Sequence, residues 1–128
     1  MSADSWIYDT LSKDNTLKTY VGTRIYQDLA PEGTAYPLIV FNLVDVIPDE
    51  NAYADNIIDI ERWDIKVIVK ENSYANAKTI ASQIRSLLHK ASATGIVASR
   101  FIQALRLTEH DSSGIYKTIS QEFEIYTQ

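Results

Sequence analysis

The residues of this chain that could do chemistry are few and widely spaced. His89 and His110 are the two histidines, and neither stands at a metal-binding interval from the other. His89 follows Lys78, Ser82 and Arg85 along a helical stretch, which a solvated basic face accounts for. Asp49, Glu50 and Asp55 gather oxygen ligands, yet the glycine and closing glutamate of a calcium loop are missing, which favours a solvated hairpin tip. Asp59 and Glu61 could serve as acid and base, but carboxylates alternating along a strand are common. Ser112 and Ser113 sit in a turn without a base of identifiable role. The four glycines form no phosphate-cradling motif, and without cysteine there is no disulfide, thiol nucleophile or zinc–thiolate site. The expectation is no catalytic residue, no cofactor and no metal: not an enzyme.

Charge is more informative. Asp45 to Asp64 holds seven acids and one base, Arg62, whereas Lys66 to Arg106 holds seven bases and one acid, Glu71. Either this is clustering on a soluble surface, or it serves head-to-tail association in which an acidic arm meets the next subunit's basic helix. Contacts of that kind close into rings when the rotation permits, and complementary charge fixes their register. On the second reading, reversing Lys78, Arg85 and Arg100 together disrupts assembly.

The elements that must position these residues start from Ser73 to Ala91. Ala77, Ile80, Ala81, Ile84, Leu87, Leu88 and Ala91 fall on one side of a helix, with Ser73 at the N-cap and Gly95 beyond the end. An earlier helix is expected over Ser5 to Leu17, N-capped by Asp4 and broken by Asn15-Thr16. Arg24 to Leu29 reads as a short strand. Leu38 to Val46, apolar on both parities, reads as a strand covered on both faces or covered by a partner subunit. Pro48 to Asp55 is a polar loop. Trp63, Ile65, Val67 and Val69 share one strand parity, and Ile58 and Ile60 the other, so either a bulge lies near Glu61-Arg62 or the first half leaves the sheet as an arm. Val97, Phe101, Leu105 and Leu107 share a parity opposite to Arg100 and Arg106. They form a hairpin with Ile115, Ile119, Phe123 and Ile125 across the turn His110 to Gly114. The predicted fold is a single α+β domain over residues 1–128: a mainly antiparallel sheet of two hairpins plus a short strand, with two helices packed on one face.

Hydrophobic content of 45% and charged content of 23% suit a globular domain of 128 residues. Neither a signal peptide nor a membrane span is legible, so a soluble cytoplasmic chain is expected. A net charge of -5 argues against a binder that works by neutralising phosphates. The RNA-binding version of such a sheet should show stacking aromatics where the last strand shows Glu122 and Glu124.

Three segments in order resemble the tail-completion, or tail-terminator (tail-to-head joining), proteins of long-tailed, siphovirus-type bacteriophages and prophages. They are Val21-Gly22-Thr23-Arg24-Ile25-Tyr26 with Ala30-Pro31-Glu32-Gly33 and Tyr36 to Phe41; the strand-to-helix passage Ile65 to Leu88; and the closing Asp111 to Tyr126. The resemblance implies a structural virion assembly protein that caps the tail tube as a hexameric ring, ends tube polymerisation and presents the head-docking surface. It implies self-association, contact with the tail tube protein and the head–tail connector or neck protein, and DNA passing through without specific binding. The location implied is the head-proximal end of the virion tail, with the host cytoplasm during assembly. A head–tail adaptor of the same assembly line is the neighbouring alternative, and a small ligand-binding or enzymatic α+β subunit a more distant one. The candidate interface residues are Ile58, Ile60, Arg62, Lys78, Arg85 and Arg100. The candidate channel-lining acids are Asp49, Glu50, Asp55, Asp59 and Glu61, whose charge would repel DNA and let it slide.

Overall fold

The computed structural model describes residues 3–49 and 58–128. Its elements are α1 (Ala3–Lys13), α2 (Asn15–Val21), β1 (Ile25–Gln27), β2 (Leu38–Pro48), β3 (Asp59–Val69), α3 (Ala75–Leu88), β4 (Ile96–Asp111) and β5 (Gly114–Thr127). The strands form one sheet in the order β1-β2-β3-β5-β4. Only the β1–β2 pair is parallel. All three helices lie on one face, and the α+β layout is the expected one with its first helix split in two.

The split falls at Asp14, one residue before the expected break. Its carboxylate accepts from the Leu17 N–H at 2.9 Å and starts a second helix. Gly22 ends that helix at φ +58 and ψ -119, a region open in practice to glycine alone. Arg24 then ties the turn to the next strand: Nε donates to the Pro37 carbonyl at 2.9 Å and Nη2 to the Tyr20 carbonyl at 3.1 Å. Pro37, at the head of β2, follows a cis peptide bond. Ser73 is not the N-cap of α3, which is Tyr74, but its hydroxyl does accept from the Ala75 N–H at 3.1 Å.

The core lies between the helices and one sheet face. α3 contributes Ala77, Ile80, Ala81, Ile84 and Leu88, which meet Trp63, Ile65 and Val67 of β3 and Ile119, Phe123 and Ile125 of β5. Ile7, Leu11, Leu17 and Val21 close the same core over Ile25, Ile39 and Phe41. Each large side chain so buried contributes roughly 1.5–3 kcal/mol. Among the described residues no helix covers the opposite face. There the chain before β2 reaches one corner, with Tyr36 against Tyr116 at 5.2 Å between ring centroids.

Two strand expectations need correction. β3 has no bulge near Glu61-Arg62 and does not leave the sheet: it runs in unbroken register with β5 from Asp59 to Val69. The irregularity is across from it, in β2 between Leu43 and Asp45. Val44 is the extra residue, so the phase of β2 shifts while β3 stays straight. Ile60 therefore lies on the uncovered face, between Ile47 and Tyr126. β4 likewise lacks the single parity expected of it. Register shifts between Ile96 and Ala98 and between Phe101 and Gln103 put Ile96, Ser99 and Phe101 on the helix side. Leu105 and Leu107 turn to the uncovered face. Arg100 and Arg106, expected on one side, point to opposite sides.

Candidate assembly interface

The surface worth explaining is apolar. Single exposed hydrophobic residues are ordinary, but here they concentrate on two strands. Leu43, Val44, Val46 and Ile47 are exposed in the outer half of β2, and Val97, Ile102, Leu105 and Leu107 in β4. Leu105 is 63% exposed and Val44 and Leu107 54% each, values that leave most of each side chain in water.

The local cause in β2 is the shortness of β1. Leu38 to Phe41 are buried on both faces, as their two-sided apolar pattern predicts. β1 ends at Gln27, opposite Phe41, and the Asp28 N–H takes the Phe41 carbonyl as its last contact. Beyond Phe41 the strand has β3 on one side and, among the described residues, no strand on the other. Apolar side chains then stand exposed on both faces of an unpaired edge.

β4 is the other edge of the sheet, and half of it is protected by the chain just before it. The Lys90 N–H donates to the Ser99 carbonyl at 2.7 Å, and Ala93 and Ile96 exchange both backbone bonds. His89 Nδ1 accepts from the Phe101 N–H at 3.0 Å. His89 is thus a half-buried cap on a strand edge rather than part of a solvated basic face. From Gln103 onward no described segment pairs with the outer side of β4.

Several charges on the uncovered face are paired within the chain, across strands or along one. Arg62 Nε donates to Asp45 Oδ1 at 2.7 Å and its Nη2 contacts Oδ2. This pairing holds the Asp45 carboxyl below its ordinary value and raises the Arg62 guanidinium. Arg100 donates twice to Glu124, at 2.7 and 3.1 Å, with the same effect on its own guanidinium. Gln103 donates to Glu122 at 2.9 Å, and Lys66 lies 3.7 Å from Asp64. Arg62 and Arg100, two of the expected interface residues, therefore have acid partners within the chain.

Lys78 and Arg85 lie on α3, in the helix layer and away from Arg62 and Arg100. Lys78 is exposed, and the Arg85 guanidinium stacks 4.0 Å from the Phe101 ring centroid. Ile58 and Ile60 are half-buried. Asp59 and Glu61 share the helix-side parity of β3. Glu61 accepts from Trp63 Nε1 at 2.9 Å and from Thr127 Oγ1 at 3.1 Å. Asp49 donates its N–H to the Ile58 carbonyl where β2 passes into β3. Glu50 and Asp55 lie outside the described residues. At the far end of β4, also on the helix side, Arg106 and Lys117 stand 5.0 and 5.1 Å from the Tyr74 ring centroid, and Tyr74 shares a hydrogen bond with Thr108.

The two-sided apolar pattern of Leu38 to Val46 implies cover on both faces or by a partner subunit, and within the chain that cover stops at Phe41. Leu105 and Leu107, which the sequence sets in one row with Val97 and Phe101, are turned outward by the bulge at Ile102. A depression of about 770 Å³ lies beneath residues 30–37 and is lined by Lys70, Glu71 and Tyr116. No group of three or more His, Asp or Glu side chains able to hold a metal occurs among the described residues. No helix among them is long and apolar enough to cross a membrane.

A family model described as "Tail completion protein gp17" matches residues 6–128. Among solved structures, a chain of the "Virion of native gene transfer agent (GTA) particle" has this fold, with a TM-score of 0.74 and 21% identity. The match covers 94% of this chain and 90% of that one. No curated protein matches the sequence.

Proposed function

This chain belongs to the tail completion protein gp17 family, and we propose that it caps the finished tail tube as a ring, ends tube polymerisation and offers the docking surface for the head. As a family member it is a virion tail assembly protein, and membership points to a structural rather than a catalytic role. The observation that carries the finer reading is a family match over nearly the whole chain, joined to a surface whose exposed apolar residues lie on two different strand edges. A subunit with two distinct contact surfaces builds heterologous assemblies, which close into rings when the rotation permits. The gene transfer agent virion supports a place in the particle, because one of its chains has this fold.

In this reading six copies sit at the head-proximal end of the tail, between the tube protein and the neck protein, and DNA crosses the ring without being gripped. Asp49, Asp59 and Glu61 lie at the end of the β2–β3 hairpin where the chain passes from one strand to the other. With Glu50 and Asp55 they would give the channel an acidic lining that repels phosphates. An assembled ring in which these acids face outward removes the lining role.

The test is electron microscopy of lysates from a phage carrying a nonsense codon early in this gene. Overlong headless tails, restored to normal length and joined to heads by added purified protein, are the expected result. Filled heads beside tails of normal length would move the protein to the neck adaptor role. Normal virions would overturn both.

A further inference from the structure

Among the described residues, two stretches of backbone in this sheet have no strand on one side, and they lie at diagonally opposite corners. One is Leu43 to Ile47 of β2, beyond the end of β1 and closed by Pro48, which has no N–H to offer. The other is Gln103 to Asp111 of β4, beyond the part of the edge bonded to Lys90, His89 and Ala93. We infer that these two edges pair with each other between successive copies of the chain, so that the sheet continues from subunit to subunit. The inference rests on the ring reading above and names its subunit contact.

Strand direction favours this occupant. β2 is antiparallel to β3, β3 to β5 and β5 to β4, so β2 and β4 run in opposite senses. A copy related by rotation keeps its sense and brings β4 alongside β2 as an antiparallel neighbour, with the helices of both copies on the same side. Edge pairing of this kind takes its affinity from backbone hydrogen bonds and its choice of partner from flanking side chains.

Those side chains agree. On the uncovered face, Val44 and Ile47 of one copy face Leu105 and Leu107 of the next, and all four are exposed in the single chain. On the helix side, Arg106 and Lys117 make no ion pair among the described residues. They would meet the side of the β2–β3 hairpin that carries Asp59 and Glu61. The basic partner of the acidic hairpin is therefore the end of the β4–β5 hairpin, rather than Lys78 and Arg85 on α3.

The diagonal placement also sets a geometry. Asp45 is level with Arg100 through Arg62 and Glu124, and Leu107, past the bulge at Ile102, lies six ladder positions further along, opposite Thr118. Pairing Leu107 beside Asp45 moves a copy about 20 Å along the strands and about 19 Å across them, at ~3.3 Å per residue and ~4.8 Å per strand. The strands then incline by roughly 45° to the ring axis, the tilt at which closed sheets settle. Six such steps of about 28 Å place the sheet roughly 28 Å from the axis.

The chain has no cysteine, which makes the test clean. Val46→Cys is combined in turn with Ala104→Cys, Arg106→Cys or Thr108→Cys. Within one copy β3 and β5 separate these positions, so a disulfide must join two copies. The expected result is a covalent ladder ending in a closed ring for at least one combination, and loss of rings from tail ends with Leu107→Lys at unchanged thermal stability. Rings at wild-type tail ends with no ladder in any combination overturn the pairing and leave the ring reading standing. Cross-links to the tube or neck protein instead also overturn it. Wild-type tail ends without rings overturn the ring reading and the pairing together.

Discussion

Arg62 and Asp45 show how a single pair can mark where a sheet changes phase. They face each other one step beyond the bulged Val44, where the ladder has just resumed. The Arg62 guanidinium holds the Asp45 carboxyl below its ordinary value of 3.8. A carboxylate whose folded pKa is depressed stabilises the fold above its unfolded pKa, and that contribution disappears as the pH falls through the folded value. The melting temperature of Asp45→Asn should therefore lie slightly below that of the wild type at neutral pH, and the gap should close as the pH is taken below the ordinary aspartate range. Both side chains are about a third exposed, so the gap is small at physiological salt. A gap that widens on acidification would contradict the assignment.

At the scale of elements, α3 is the part of the fold that the sequence displays most openly. A helix has one period throughout, and Ala77 to Leu88 keep it without interruption. Ile84 is fully buried against the sheet, and Ile84→Ala should lower unfolding free energy by about 2–5 kcal/mol, read from urea denaturation. β5 is legible for the same reason, its alternation of Ile119, Phe123 and Ile125 with Ser120, Glu122 and Glu124 being unbroken. β4 is not, because each bulge inserts one residue and reverses the parity of all that follows. Val97, Phe101, Leu105 and Leu107 look like one buried row in the sequence and are spread over both faces in the fold. Asp14 hides a helix break for another reason. An aspartate near the end of one apolar pattern fits a last turn as readily as a cap, and only the Leu17 N–H decides between them. For the interface, the charge asymmetry of the hairpins is legible, but which bases stand without acid partners depends on cross-strand register.

For the molecule as a whole, the consequence lies in β1 being three residues long. Were it longer by a few residues it would cover Leu43 to Ile47, and the chain would be a self-sufficient monomer with one sticky side. On the edge pairing proposed above, each copy has a donor end and an acceptor end, and growth has a direction. Two populations, one carrying Val46→Lys and the other Leu107→Lys, should each remain single when purified. Mixed, they should form a dimer and stop, which light scattering would read directly; larger species would show that another surface also joins copies. Such a result would make the subunit a unit of valence two whose ends can be switched off one at a time. Ring size is then a question of how many such links complete a full turn.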